Sequence, residues 1–262
     1  MFEDFILISG PCAVEGDDVN LPIAAELAAL QARTGLSIVF KGSFDKANRS
    51  RIDAPRGLGL DEGLRALERV RDASGLRVLT DVHESTQVTA VAEVVDALQI
   101  PAFLCRQTDL LVAAGRTGLP VNVKKGQWMA PEEMKGAVEK VRTSGSLTVA
   151  VTERGSAYGY GDLVVDMRTF ARLREATGAP ALFDGTHAVQ RPGRADGASG
   201  GDPQHTPALV RAAVAAGCDG LFLETHPNPS AAPSDATNML PLDRLSSLID
   251  EVLRVRDAIH PT

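Results

Sequence analysis

The sequence predicts an α/β fold of the (β/α)8 TIM-barrel type, with residues 1–262 forming one single domain. Three observations predict it. Eight short apolar runs, each the length of a buried strand, recur along the chain. Amphipathic stretches lie between them, and strands that alternate with helices pair in parallel. The chain has 262 residues, close to the roughly 250 that eight such units typically take. A doubly wound open sheet is the alternative. It favours a glycine-rich fingerprint after its first strand, and Gly10-Pro11-Cys12-Ala13-Val14-Glu15-Gly16 matches that poorly.

In chain order, the runs are FILIS (5–9), SIVFK (37–41), RVLTD (77–81), ALQIP (97–101), PVNVK (120–124), LTVAV (147–151), ALFD (181–184) and GLFLE (220–224). After the first run, Asn20 reads as the cap of a helix whose Ile23, Leu27 and Leu30 share a face and whose end is marked by Gly35. Leu60, Leu64 and Leu67 repeat the helical spacing, as do Met134, Val138 and Val141. The last helix carries Leu245, Leu248, Val252 and Val255. The long irregular segments are 42–57, 187–204 and 225–240, and each directly follows a strand. Barrel chemistry sits on the loops after the strands. The polar clusters PCAVE, KGSFDKANRSR, DVHE, KKGQW, TERG, DGTH and ETHPNPSAAPSD all fall there.

Composition narrows the function. Lys and Arg number 27 against 34 Asp and Glu, for a formal charge of -7. That balance excludes nucleic acid or an anionic membrane as the main partner, because both demand a broad basic surface. No apolar run approaches a membrane span, and the first residues, with two acids and a five-residue apolar run, do not read as a signal peptide. Three widely spaced cysteines, Cys12, Cys105 and Cys218, fit a reducing cytoplasm better than a disulfide framework.

Three constellations could carry chemistry. Cys12, His187, Glu224 and Asp235 follow strands one, seven and eight, which become neighbours when a barrel closes. A thiolate, an imidazole and two carboxylates suit a borderline divalent ion, with His83, His205 and His226 as rival ligands. The alternative is a buried cysteine and a capping histidine. Lys41, Lys46, Arg49, Lys124, Lys125 and Arg154 map to the same mouth and form a candidate anion site. The alternative is solvated charge, or salt bridges to Asp81, Glu153 and Asp184. Residues 189–204 carry four glycines and two prolines and read as a lid or as plain surface loop.

The segments GPCAVE, KGSFDKANRS, TDVHE, IPAFLCRQTDLL, VNVKKGQWMAP, VVDMR, FDGTHAVQ and ETHPNPSAAPSDATNMLPL resemble, in order and over residues 9–242, the 3-deoxy-D-manno-octulosonate 8-phosphate synthases. The 3-deoxy-D-arabino-heptulosonate 7-phosphate synthases, which use erythrose 4-phosphate, are the alternative. They typically carry Lys-Pro-Arg-Thr-Ser where this chain reads Lys46-Ala47-Asn48-Arg49-Ser50. The resemblance implies a cytoplasmic homotetramer that joins phosphoenolpyruvate to D-arabinose 5-phosphate in lipopolysaccharide biosynthesis. It implies that Lys124 and Arg154 hold the phosphate of phosphoenolpyruvate and that Lys41 and Lys46 hold its carboxylate. Asn48, Arg49 and Ser50 receive the sugar phosphate and chain, Asp81 lies near the sugar hydroxyls, and Gln99 lines the site. Arg106 resembles a residue that reaches into a neighbouring subunit's site, with Phe103 at that boundary.

Cys12, with His187, Glu224 and Asp235, resembles the metal-dependent branch of that family, whose ion is zinc, iron(II), manganese or cobalt. Lys46, Asn48, His187 and Asp235 are the residues expected at the reacting centre. Two features depart from the family pattern: Asp202-Pro203-Gln204 follows Ser199-Gly200-Gly201 where a basic residue is common, and Arg51 replaces a small hydroxyl residue.

Overall fold

The computed structural model describes residues 1–49, 52–157, 161–195 and 198–259. Eight parallel strands close a barrel: β1 (Ile6–Gly10), β2 (Ser37–Lys41), β3 (Arg77–Asp81), β4 (Ala97–Ile100), β5 (Val121–Lys124), β6 (Val149–Glu153), β7 (Ala181–Asp184) and β8 (Gly220–His226). Each pairs with the next, and β8 returns to β1 with Ile6 opposite Gly220 and Gly10 opposite Glu224. The β1–β8 pairing removes the last free edge, so no row of unpaired backbone groups remains on the barrel.

Eight helices surround it: α1 (Asp17–Thr34), α2 (Leu60–Ser74), α3 (Val88–Ala92), α4 (Thr108–Arg116), α5 (Met134–Ser144), α6 (Thr169–Thr177), α7 (Thr206–Ala215) and α8 (Leu242–Ile259). Their apolar stripes pack on the outward side chains of the strands. Leu7, Ile38, Phe40, Val78, Leu98, Val121, Val151, Phe183 and Leu221 join Ile23, Leu27, Leu67, Val138, Val210 and Leu245 in one core. Each fully buried Leu or Ile there contributes about 1.5–3 kcal/mol against exposure. Among the described residues, no helix is long and apolar enough to cross a membrane.

Strand alternation places the site. A second core fills the barrel's interior with Ile6, Ile8, Val39, Leu79, Ala97, Ala150, Leu182 and Phe222, closed below by Phe2. Side chains on a strand repeat a direction every second residue. The residues two further along therefore also point inward, one layer nearer the mouth: Lys41 after Val39, Asp81 after Leu79, Gln99 after Ala97, Thr152 after Ala150, Asp184 after Leu182 and Glu224 after Phe222. All six are buried. The polar layer thus stands directly on the apolar one.

Two local expectations are corrected. Asn20 does not cap α1. The cap position is Gly16, and Asn20 sits inside the first turns, fully buried. Its amide donates to Glu15 O at 2.7 Å and accepts from Glu15 N at 3.1 Å, which ties the loop after β1 onto the helix. An Asn side chain serves loop backbone as readily as helix backbone, so the sequence reads the same either way. The glycine-rich stretch is not irregular along its length. Gln190–Ala195 and Ala198–Gly201 pair as an antiparallel hairpin whose first residue, Gln190, lines the cavity. Gly35 does end α1, with φ 69° and its N–H on Gln31 O.

Candidate active site

At the C-terminal end of the strands lies a cavity of about 650 Å³. Lys41, Lys46, Asn48, Arg49, Asp81, Gln99, Lys124, Arg154, His187, Glu224 and Asp235 all line it. Every strand except β1 contributes a lining residue, from the strand itself or from the residue just after it, because inward positions converge on one axis. Ser50 lies outside the described residues. Arg106 is exposed on the rim and does not line the cavity, whereas Phe103 lines it while exposed, its ring 5.8 Å from that of Trp128.

A polar chain crosses the barrel beneath the cavity. Asp81 accepts from Ser43 Oγ and Gln99 Nε2. Gln99 Oε1 accepts from Asn122 Nδ2 at 2.9 Å, and Asn122 Oδ1 accepts from Thr152 Oγ1 at 2.6 Å. Strands β3 to β6 are thereby cross-linked side chain to side chain, with each amide facing fixed by its two partners. Burial alone would raise the Asp81 carboxyl, but Lys41 and then Lys46 hold it well below the usual carboxylate range.

The cations are buried beside acids. Lys41 Nζ donates to Glu224 Oε1 at 2.8 Å and Cys12 O at 2.9 Å. Lys124 Nζ donates to Asp184 Oδ2 at 2.6 Å and lies 3.0 Å from the centroid of the Phe222 ring. Burial brings the Lys124 amine down to about 8, with Asp184 opposing the fall and Arg154 and Lys41 adding to it. Burial would also lower Lys46, but the surrounding Cys12, Glu224, Asp81 and Asp235 raise it instead. Arg154 is buried, its pKa lowered by desolvation, and it donates to Gln190 Oε1 at 2.8 Å. Arg49 spends its fork on Ser234 Oγ, at 2.8 Å, and on the carbonyls of Pro55 and Pro233. Lys125 is a correction. It turns away from the mouth, fully buried against Glu153 at 3.4 Å and the carbonyls of Gly126 and Met129. Successive strand residues face opposite sides, so Lys124 and Lys125 cannot both enter one cavity.

Strand β8 and the segments after β1, β7 and β8 bring the expected ligands together. Atoms of Cys12, Glu224 and Asp235 lie within 4.8 Å of one another. His187 Nε2 is 3.7 Å from Glu224 Oε2 and 3.7 Å from Asp235 Oδ2. Its Nδ1 lies 2.8 Å from Asp184 Oδ2, so Asp184 orients the ring and leaves Nε2 towards the cluster. Burial would lower His187, but Asp184 and Glu224 raise it to about 8. Burial, then Asp235 and Glu224, push the Cys12 thiol well up, and its Sγ donates to Asp235 Oδ2 at 3.0 Å. Asp235 has φ 49°, the single non-glycine in the left-handed region among the described residues. Such strain costs of order 1–3 kcal/mol and gathers at functional sites.

A divalent ion fits these donors on an observation independent of their identity. Glu224 Oε2 is buried and has no hydrogen-bond partner. It faces His187 Nε2 across 3.7 Å, and a cation there would satisfy it.

The rival histidines are placed as well. His226 pairs with Glu15 at 3.1 Å, and His83 lines the cavity beside Phe44. Asp184 and Gln190 were missed as site residues. The signal for Asp184 was its place two residues after an inward Leu182; for Gln190 no local pattern distinguishes it.

A parallel barrel with a cationic mouth beside a thiol, imidazole and carboxylate cluster defines a class, a barrel enzyme built for anionic substrates. The DAHP synthetase I family matches residues 3–259, and the chain belongs to that family. Its relatives include the 2-dehydro-3-deoxyphosphooctonate aldolases of Syntrophotalea carbinolica, 53% identical with 97% of this chain and 91% of that one covered, and of Synechococcus sp., 54% identical over 97% and 89%. The Bradyrhizobium diazoefficiens protein of the same name is 51% identical over 94% and 88%. None of these three carries the heptulosonate name, and the erythrose 4-phosphate alternative is not favoured.

Proposed function

We propose that the protein condenses phosphoenolpyruvate with D-arabinose 5-phosphate and water to give 3-deoxy-D-manno-octulosonate 8-phosphate and inorganic phosphate. One observation carries it: Lys41, Lys46, Lys124 and Arg154 line a single cavity in a chain whose relatives bear the aldolase name. In the reaction, C3 of phosphoenolpyruvate attacks the sugar aldehyde carbon, whose oxygen takes a proton. Water adds at C2, and the tetrahedral centre expels phosphate. Two polyanions must meet in a site where charges are weakly screened. Lys124 and Arg154 would take the phosphate of phosphoenolpyruvate, and Lys41 and Lys46 its carboxylate. Asn48, Arg49 and Ser50 would receive the sugar phosphate and chain, and Asp81 and Gln99 the hydroxyl face. Arg49 must then exchange its present partners on 233–234 for the sugar phosphate.

The cavity's charges nearly cancel as they stand. Lys41, Lys46, Lys124 and Arg154 face Asp81, Asp184, Glu224 and Asp235. Cys12, His187, Glu224 and Asp235 would hold a divalent ion of zinc, iron(II), manganese or cobalt. Such an ion supplies charge, polarises an oxygen or lowers the pKa of water. Its positive charge would tip a balanced mouth towards binding anions.

In this reading residues 1–262 act as one catalytic barrel, in the cytoplasm, as a homotetramer that makes the eight-carbon acid of lipopolysaccharide. The exposed Phe103 and Arg106 support a subunit boundary at the rim. The test is phosphate release from phosphoenolpyruvate with arabinose 5-phosphate, before chelation, after it, and after manganese or zinc is restored. Loss and recovery are expected. Release that survives thorough chelation overturns the metal requirement, and no release under any condition overturns the reaction.

A further inference from the structure

We propose that Gln190 is a positioning residue that couples Arg154 of the anion site to Asp235 of the metal cluster; the inference rests on the reading above. The Gln190 side chain is buried between them. Its Oε1 accepts from Arg154 Nη2 at 2.8 Å, and its Nε2 donates to Asp235 Oδ1 at 2.7 Å. The amide's orientation follows from chemistry. A guanidinium can only donate and a carboxylate can only accept, so oxygen must face Arg154 and nitrogen Asp235. A neutral group with one acceptor and one donor on a rigid plane is what can stand between these two charges. A direct Arg154–Asp235 ion pair would commit the guanidinium to a carboxylate and the carboxylate to a guanidinium. The interposed amide satisfies one valence of each and leaves the rest of both for ligands.

The contact also selects which oxygen of Asp235 faces the cluster. Gln190 occupies Oδ1, and Oδ2 is left with Cys12 Sγ at 3.0 Å, Ser234 Oγ at 3.3 Å and His187 Nε2 at 3.7 Å. Asp235 stands in a left-handed conformation that persists only where surrounding contacts over-determine it, and the Gln190 bond is one of those contacts. Gln190 is moreover the first residue of the 190–201 hairpin, paired with Gly201. The backbone that begins the hairpin therefore carries the side chain that sets both an anion donor and a metal ligand.

The test uses the full chain and two variants. Gln190→Met keeps length and volume and removes both bonds. Gln190→Asn keeps an amide that is one methylene short of spanning the gap. Co(II) is titrated into the metal-free proteins, reading the thiolate-to-cobalt absorption, and phosphoenolpyruvate binding to the metal-free proteins is read by calorimetry. Gln190→Met is expected to weaken Co(II) about ten- to hundredfold, the usual effect of losing a partner behind a metal ligand. Phosphoenolpyruvate binding is expected to weaken about tenfold, as for a lost bond to a charged group. Gln190→Asn should fall between Met and wild type on both axes. A barrel that has merely been destabilised would lower the melting temperature of the metal-free protein without this paired loss. Wild-type affinity for both ligands in Gln190→Met overturns the proposal, and so does loss of one without the other. Wild type lacking the thiolate–cobalt absorption overturns the metal cluster itself, a result distinct from a variant that matches a cobalt-binding wild type.

Discussion

Replacing Asp184 by Asn tests how the site is charged. The Asp184 carboxylate is fully buried and accepts four hydrogen bonds: from Lys124 Nζ at 2.6 Å, His187 Nδ1 at 2.8 Å, His187 N at 2.9 Å and Thr186 N at 3.1 Å. The Asn oxygen can still serve the two backbone donors. Its NH2 would then face Lys124 and His187, which are donors themselves. Removing one partner of a buried ion pair costs about 3–5 kcal/mol. At about 2–4 °C per kcal/mol for a chain of this size, the melting temperature should drop by about 6–20 °C at pH 7.

The sign with pH sharpens the test. Burial opposes ionisation of Asp184, but His187 and Lys124 more than offset it and hold the carboxyl well below its ordinary 3.8. A carboxylate with a depressed folded pKa contributes stability above its unfolded value and loses it as pH falls. The gap between variant and wild type should therefore be widest near neutrality and shrink in acid. Lys124, already near 8, loses the neighbour that opposes its fall, so its proton leaves at lower pH. Phosphoenolpyruvate kcat/KM should then begin to decline at lower pH than in wild type. Thermal melts of the metal-free protein at pH 7 and about pH 2, below the ordinary carboxylate value, with kinetics from pH 6 to 9, read all of this. A gap of equal size at both pH values would refute the charge argument, as would an unchanged alkaline limb.

Cys12→Ser should abolish the thiolate-to-cobalt absorption and lower metal affinity while the metal-free barrel melts as before; retained absorption would remove Cys12 from the cluster. Gly10→Ala should destabilise the fold by about 1–3 kcal/mol or more, because a Cβ there would sit 2.2 Å from Lys41 O where β1 meets β2. An unchanged melt would contradict that packing. Arg33→Ala removes a half-exposed pair with Asp250 at 2.8 Å and should cost under about 1 kcal/mol, with kinetics untouched. A larger loss would mean that surface pairs hold α1 to α8 more strongly than the solvated geometry allows.

The eight strands were legible because parallel strands buried on both faces read as near-continuous short apolar runs. Their ends were less so: the run 147–151 is read two residues early, since β6 is Val149–Glu153 and its last residues are polar. Those polar ends belong to the site, which is why apolar patterning stops short of them. Cys12, His187 and Asp235 stood out as residues following neighbouring strands and Glu224 as a polar residue at the end of an apolar run, and the resemblance made them a set. Gln190 was not, because its role depends on two residues 36 and 45 positions away and on none nearby. Lys125 was misread because composition counts charges without asking which face of a strand bears them. The hairpin at 190–201 was hidden by glycine content that reads as loop even where the backbone pairs.

The candidate metal cluster lies at the seam where β8 returns to β1. Cys12 and Asp235 are separated by 223 positions, nearly the whole chain. A ribosome must deliver about nine-tenths of the polypeptide before the first donor can meet the last. Contacts of such separation form late, after the entropy of a long loop has been overcome. A half-made barrel therefore holds the Cys12 thiol apart from the Asp235 carboxylate. If these donors hold an ion as proposed, a loaded cluster would certify completed closure.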